Sequence, residues 1–175
     1  MVMVETKLEH ILTNSYKADM IAYMKSHPED FEEAIKLAIS NKPPYSWRAA
    51  WLLWSCMEKN DQRILKYVDI IIDTIPTTSD EQARELLIIL QHMELTNDNE
   101  GKLFNICINI WEKIGKQPSF RYNAFKLMIK IIKNHPDLYK EIAFLTESHY
   151  TDSLSDNVKK SIFKMVIGLK KRFKQ

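Results

Sequence analysis

A period of roughly 36–38 residues recurs along the chain and limits the folds that it can adopt. The stretch Lys25–Phe31 (KSHPEDF) matches Lys133–Tyr139 (KNHPDLY), three such periods further on. Because apolar residues also recur at helical spacing, each period corresponds to a pair of amphipathic helices. Such pairs bury their apolar faces only by stacking on their neighbours, which predicts an α-solenoid. A series of basic residues repeats with the same period: Arg48, Arg84, Arg121 and Lys159.

The apolar pattern predicts an all-α fold of about ten helices, each roughly 11–18 residues long. We expect five antiparallel pairs in a short right-handed α–α superhelix, with residues 1–175 forming a single domain. Five of the six prolines stand where a helix is expected to begin, and Pro76 stands where one is expected to end. The predicted units are an N-terminal capping pair at residues 2–27 and repeats at about 28–60, 61–97, 98–135 and 136–175.

Glycine is scarce, and this excludes several classes of enzyme. The chain has three glycines, whereas an average chain of this length has about 12. Phosphate-binding loops need clustered glycines, and the usual zinc-protease, serine-hydrolase and dithiol motifs are absent as well. We therefore predict no catalytic residue, no cofactor and no metal site. Gly115 is expected to close a helix, and Cys56 and Cys107 are expected to be buried thiols.

One segment resembles the second helix of a HEAT repeat, namely Gln117–Leu127 (QPSFRYNAFKL). In that family a proline or aspartate opens the helix, an arginine follows, and an alanine and a leucine pack inward. Ser46–Trp51 (SWRAAW) is a looser version of the same pattern. The resemblance covers about residues 28–173 and implies a helical-repeat scaffold. His27 and His135 occupy the same place in two repeats, so we expect both to bond the end of the preceding helix.

The helix predicted over residues 45–59 is apolar almost all round, and Trp47, Trp51 and Trp54 share one of its faces. A helix of this kind is normally buried, so one interpretation is that the tryptophans fill gaps between helix pairs. The other is that part of the aromatic face lines an exposed groove for a peptide or a flipped base, since tryptophan is a favoured interface anchor.

Two cationic series have alternative interpretations. The repeated arginines either join one repeat to the next, as the HEAT resemblance implies through an acidic partner, or bind carboxylates or phosphates. Lys126 and Lys164 stand one period apart, as do Lys133 and Lys171. Residues 116–175 carry 13 Lys/Arg against 5 Asp/Glu, whereas residues 1–115 carry 12 against 18. These lysines either solvate the end of the solenoid or bind successive phosphates of a nucleic acid. Further cations surround them: Lys130, Lys160, Lys170, Arg172 and Lys174.

Two functional hypotheses follow. The first is a non-enzymatic scaffold that binds a protein or peptide partner on a concave face. The alternative is a nucleic-acid-binding protein related to the DNA alkylation repair glycosylases, which the chain resembles in being HEAT-like and tryptophan-rich, using its basic C-terminal half. Lacking a signal-peptide pattern and a long apolar run, the chain is predicted to be cytoplasmic and not membrane-bound. The candidate partner-binding residues are Trp47, Arg48, Trp51, Arg84, Arg121, Lys126, Lys133, Lys164 and Lys171.

Overall fold

A computed structural model describes residues 4–173, and every regular element within that range is helical. The described residues form twelve α-helices and three short 3-10 helices, which confirms the all-α prediction. Residues 2, 3, 174 and 175, at the two ends of the predicted repeat array, lie outside the described range. The chain divides into two compact units, residues 1–94 and 95–175. Their boundary falls close to the one predicted between the repeats at 61–97 and 98–135.

Unit 1 is organised around one central helix, α4, which packs most extensively against α3 and α7 and also contacts α1 and α2. Its buried side chains are small or aliphatic, and Ala49, Leu52 and Leu53 have no exposed surface. The helices of this unit are α1 (Lys7–Asn14), α2 (Lys17–Ser26), α3 (Phe31–Ala38), α4 (Tyr45–Cys56), α5 (Gln62–Leu65), α6 (Val68–Thr74) and α7 (Asp80–Gln91), with 3-10 turns at Pro28–Asp30 and Ile75–Thr77.

Unit 2 contains the longest helices and is built on the packing of α8 against α9. Trp111 of α8 and Phe125 of α9 are fully buried, with their ring centres 4.7 Å apart. The last helix, α12, contacts both α9 and α10. The helices of this unit are α8 (Asn97–Glu112), α9 (Pro118–Ile132), α10 (Tyr139–Phe144), α11 (Ser148–Thr151) and α12 (Asp156–Phe173), with a 3-10 turn at Pro136–Leu138.

Each of the ten predicted helices is present, but many are shorter than predicted. Helices α4, α7, α8, α9 and α12 have 12–18 residues, whereas α1, α3, α6 and α10 have eight or fewer. Local sequence signals shorten two of these helices at their N-terminal ends. Pro28 and Pro136 open 3-10 turns in place of the first turn of α3 and α10. The residue before a proline is disfavoured in the α region, so His27 and His135 do not extend these helices toward the N-terminus.

The two histidines of the repeated motif adopt the same backbone conformation. His27 has φ −130° and ψ 64°, and His135 has φ −129° and ψ 78°. Each backbone N–H donates to a carbonyl near the end of the preceding helix, from His27 to Tyr23 O (2.9 Å) and from His135 to Ile131 O (3.2 Å). The motif thus marks structurally equivalent turns in the two units. The side chains differ, because the His27 ring also contacts the preceding helix (Nδ1 to Tyr23 O, 3.1 Å), whereas the His135 ring lies beside Glu100 of α8.

Glycine supplies no left-handed turn within the described residues. The prediction that Gly115 closes a helix is wrong, because α8 ends at Glu112 and no described glycine has a positive φ. Asn60, with φ 53°, takes that conformation instead. Its backbone N–H donates to His92 O (2.7 Å), and its Oδ1 accepts from Glu94 N (3.2 Å). Asparagine tolerates this region because its short side chain bonds nearby backbone groups.

A buried carboxylate in unit 1 should make the protein sensitive to acid. The Glu9 side chain accepts hydrogen bonds from the Lys42 ammonium group and from Thr6 N (3.0 Å). These bonds, chiefly the one from Lys42, hold the pKa of Glu9 below its ordinary value of 4.5. A carboxylate whose pKa is lower in the folded chain stabilises the fold above its unfolded pKa, and this contribution is lost as the pH falls through the folded pKa.

We therefore expect Glu9→Gln to lower the unfolding temperature at neutral pH. The difference from wild type should shrink as the pH falls through the folded pKa of Glu9, because wild type then carries a protonated, neutral side chain as well. Thermal unfolding followed by circular dichroism from neutral to strongly acidic pH measures the difference. Glu58→Gln, at an exposed position outside the helices of unit 1, is the matched control and should stay close to wild type at every pH. If the unfolding temperatures of Glu9→Gln and wild type differed by the same amount at every pH, the pKa of Glu9 would not be linked to stability in this way.

Candidate binding surfaces

Arg121 is fully buried near the start of α9 in unit 2. Its Nε donates to Trp111 O at the end of α8 (2.9 Å), and its Nη2 donates to Tyr150 O of α11 (2.6 Å). A third bond joins Nη1 to Ser153 Oγ (3.3 Å), and the guanidinium lies 4.5 Å from the centre of the Trp111 ring. Burial lowers the pKa of Arg121. Because this side chain has no exposed surface, we remove it from the candidate partner-binding residues.

Arg48 makes a comparable contact in unit 1. Its Nη1 donates to Leu12 O near the end of α1 (2.9 Å), and its guanidinium lies 4.9 Å from the centre of the Trp47 ring. Arg48 and Arg121 both bond a backbone carbonyl near a helix C-terminus, where a cation is favoured. The acidic partner that the HEAT resemblance implies is replaced at these two positions by peptide carbonyls.

The other two members of the series lie beside acidic side chains. Arg84 Nη2 lies 2.5 Å from Glu85 Oε1 within α7, and Lys159 Nζ lies 4.0 Å from Asp152 Oδ1. Both basic side chains are only partly exposed, at 28% each. Arg48 and Arg121 therefore join neighbouring predicted repeats, which supports the tethering interpretation at these two positions. The ion pairs of Arg84 and Lys159 each lie within one predicted repeat.

The tryptophans of α4 lie at the edge of the core and not inside it. Trp47, Trp51 and Trp54 are each half-buried, in contrast to the fully buried Leu52 and Leu53 of the same helix. The interior next to α4 is already occupied by aliphatic side chains, so the bulkier rings stay at the margin. The interpretation that the tryptophans fill gaps in the core is therefore supported only in part, because each ring keeps some exposed surface. We call the group of Trp47, Arg48, Trp51 and Trp54 the α4 surface.

Neighbouring helices hold the rings of the α4 surface in place. Trp54 Nε1 donates to Glu85 Oε2 of α7 (2.6 Å), and Glu85 is itself 3% exposed. The Trp51 and Trp54 rings meet edge to face at 6.1 Å, and Lys17 Nζ of α2 lies 5.1 Å from the centre of the Trp51 ring. Both contacts are within the range of favourable aromatic and cation–π geometry, so the partly exposed rings are fixed before any partner binds.

Three of the four predicted lysines come together in unit 2. Lys133 at the end of α9, together with Lys164 and Lys171 of α12, lines a groove between these helices with a volume of about 600 Å³. Lys126 is the exception, because it does not line this groove and its Nζ lies 5.8 Å from the Tyr122 ring. We call this feature the α9–α12 groove. Its other lining residues are Ile129, Ser161, Met165, Gly168, Leu169 and Arg172.

The apolar floor of the groove was not predicted from the sequence, although the chain contains a signal for it. Ile129 and Lys133 stand at i and i+4 on α9, and Lys164, Gly168 and Lys171 follow helical spacing on α12. Each set therefore forms a stripe along one helix. Recognising that the two stripes face each other requires the packing of α9 against α12. Lys174, which the sequence placed among the neighbouring cations, lies outside the described residues.

The described residues contain no group of three or more His, Cys, Asp or Glu side chains arranged to hold a metal ion. The buried acids have protein partners instead. Glu100, which is 3% exposed, accepts from Asn134 Nδ2 (2.8 Å) and lies 2.6 Å from His135 Nε2. Burial raises the pKa of the Cys107 thiol. None of the described helices combines the length and apolar character needed to cross a bilayer.

Packed helix pairs with equivalent turns and inter-helix arginines define the class of helical-repeat proteins. The family model described as a HEAT repeat domain matches residues 4–167. The chain therefore belongs to the HEAT repeat family, as the Gln117–Leu127 segment implied. No curated protein and no solved structure matches the chain.

Proposed function

We propose that this chain is a non-enzymatic scaffold that binds a protein or peptide partner through the α4 surface. HEAT repeat proteins commonly mediate protein interactions. The observation that supports this proposal is the partial exposure of Trp47, Trp51 and Trp54 on one side of α4. The exposed parts of these rings leave apolar area that a partner can cover. The wider prediction of a concave binding face remains a prediction.

The composition of the α4 surface suits partner recognition. Tryptophan and arginine are over-represented among the residues that dominate binding energy, and tryptophan buries a large area with few rotatable bonds. Hydrogen bonding of Trp54 to Glu85, and of Arg48 to Leu12 O, restricts the side chains in the free protein. Such pre-organisation lowers the entropy lost on binding. An apolar segment carrying a carboxylate for Arg48 or Lys17 matches this surface.

The experiment is selection of peptides from a random phage-displayed library on the immobilised protein. We expect ligands whose affinity falls about tenfold or more in Trp51→Ala and Trp47→Ala, since interface tryptophans typically contribute at least about 1–2 kcal/mol. Ile70→Ala is the matched control, because Ile70 is an exposed apolar residue (48%) on α6 in the same unit. Selected ligands that bind Trp51→Ala as tightly as wild type would exclude the α4 surface, and a selection without ligands would argue against a peptide-binding function.

Nucleic-acid binding is the second candidate, and the cations of the α9–α12 groove favour it. Phosphate tracking needs exposed lysine and arginine side chains, which this groove has. Recognition of single strands also relies on aromatic side chains that stack on bases, and no tryptophan, tyrosine or phenylalanine is among the groove's lining residues. The relation to DNA alkylation repair glycosylases stays a prediction.

A further inference from the structure

The α9–α12 groove combines a cationic rim with an apolar floor. Its rim is formed by Lys133, Lys164, Lys171 and Arg172, all of which are exposed. The floor is made by Ile129, Met165 and Leu169, with Gly168 between them along α12. No Asp or Glu is among the described residues that line the groove. Its charge is therefore positive at every ionisable lining residue.

The rim cations have no acidic partner among the described residues. None of the four takes part in a salt bridge there, in contrast to Arg63, Lys66 and Lys42 of unit 1, which each pair with a carboxylate. Four like charges around one groove repel one another, and an anionic ligand would relieve that repulsion. The charge of the groove is thus complementary to a ligand that carries several carboxylates.

Helix-end electrostatics account for only part of this arrangement. Lys171 and Arg172 lie in the last turn of α12, and Lys133 is the C-cap of α9, where cations interact favourably with the helix dipole. Lys164 lies in the middle of α12, far from either end, and gains nothing from the dipole. The helix dipole also does not explain why cations from both α9 and α12 line the same groove.

Gly168 is an exposed residue of α12 that lines the groove without a side chain. A Cβ atom built on it meets no atom within 4 Å, so the space above it is open to solvent. Glycine in a helix interior costs stability relative to alanine. At this position its small size leaves room above the floor between the two rim lysines of α12. An apolar side chain of a ligand fits that space.

We propose that the α9–α12 groove binds an acidic amphipathic helix of a protein partner. Apolar side chains along one stripe of such a helix would cover the floor near Gly168, and carboxylates on both sides of that stripe would meet the rim. The stripe from Ser161 to Arg172 is about 16 Å long at 1.5 Å per residue, which matches about three turns of a bound helix. A nucleic acid would use the rim but leave the apolar floor unmatched. This site lies in unit 2 and does not depend on the α4 surface.

The test measures fluorescence anisotropy with a labelled 15-residue peptide that carries a helical stripe of Leu with Glu on both sides of the stripe. A scrambled peptide of the same composition and a labelled 15-nucleotide oligo(dT) are the comparison probes. We expect the full-length protein to bind the amphipathic peptide at least about tenfold more tightly than either comparison probe. Tighter binding of oligo(dT) would replace the proposal with a nucleic-acid site, and equal binding of the two peptides would reduce it to non-specific charge attraction.

Variants locate the binding within the groove. The double variant Lys164→Glu/Lys171→Glu should weaken peptide binding about tenfold or more. The control Lys160→Glu/Lys170→Glu makes the same charge change at exposed positions of the same helix that do not line the groove, and it should change affinity at most about threefold. Equal losses in the two double variants would overturn the assignment.

Gly168→Leu provides a second test that leaves every charge in place. The added side chain should fill the groove and weaken peptide binding about tenfold or more. Since the position has free space and leucine favours helix over glycine, the unfolding temperature should not fall. Retention of full affinity by a folded Gly168→Leu variant would show that the peptide does not occupy the groove.

Discussion

Replacement of Arg121 by alanine should lower the free energy of unfolding by about 3–5 kcal/mol, because the change leaves buried acceptors without a donor and opens a cavity. The guanidinium donates to Trp111 O, Tyr150 O and Ser153 Oγ. Its loss leaves two backbone carbonyls without a donor in a buried region and opens a cavity beside the Trp111 ring. Urea unfolding monitored by circular dichroism measures the difference.

Two further variants separate the causes of this loss. Arg121→Met restores much of the side-chain volume without the hydrogen-bond donors. It should therefore recover only the part of the lost free energy of unfolding that comes from packing. Arg172→Ala removes an exposed arginine from the same unit and should change stability by no more than about 0.5 kcal/mol. If Arg121→Ala were as stable as Arg172→Ala, the proposed role of Arg121 in joining α8, α9 and α11 would be wrong.

Two tryptophans of the chain should respond very differently to truncation. Trp111→Ala should cost about 3–5 kcal/mol, as expected for a large, fully buried aromatic side chain. Trp111 has no exposed surface, contacts Phe125 and donates its Nε1 to Leu145 O (2.8 Å). Trp51→Ala should cost only about 1–2 kcal/mol, because the ring is half-buried and has less apolar area to lose.

The comparison is internally controlled, since both changes remove the same atoms from the same protein. Trp111→Phe adds a finer test: it keeps an aromatic ring but removes the indole N–H, so Leu145 O loses its donor and stability should fall by about 1–3 kcal/mol. Equal losses in Trp51→Ala and Trp111→Ala would mean that the α4 surface is part of the core, and would remove the main support for a binding role.

Local signals in the chain predicted the secondary structure well. The proline and histidine motif at His27 and His135 gave equivalent turns. Ser79 caps α7 by accepting from Gln82 N (3.3 Å), as serine commonly does just before a helix. These features depend on residues within one turn of each other, so the sequence contains the whole cause. Helix lengths were overestimated because apolar periodicity continues through 3-10 turns and short breaks.

The sequence identified some residues of the candidate surfaces but not which side chains are accessible. The repeat period identified Lys133, Lys164 and Lys171, which do line one groove, because equivalent residues of successive repeats project from neighbouring helices. The repeat also identified Arg121, and of its two interpretations the structure supports tethering, because the side chain is buried and bonds α8 and α11. The local sequence does not show that this side chain is closed to a partner.

The sequence by itself determined that this chain is an all-α repeat protein and which residues share a helical face. These properties follow from backbone chemistry and from the 3.6-residue period. Only the tertiary structure decided which faces are covered. Trp111 and Arg121 are buried because other helices pack over them, whereas Trp51 and the cations of the α9–α12 groove retain exposed surface. Burial depends on atoms contributed by distant parts of the chain, and no local pattern specifies their positions.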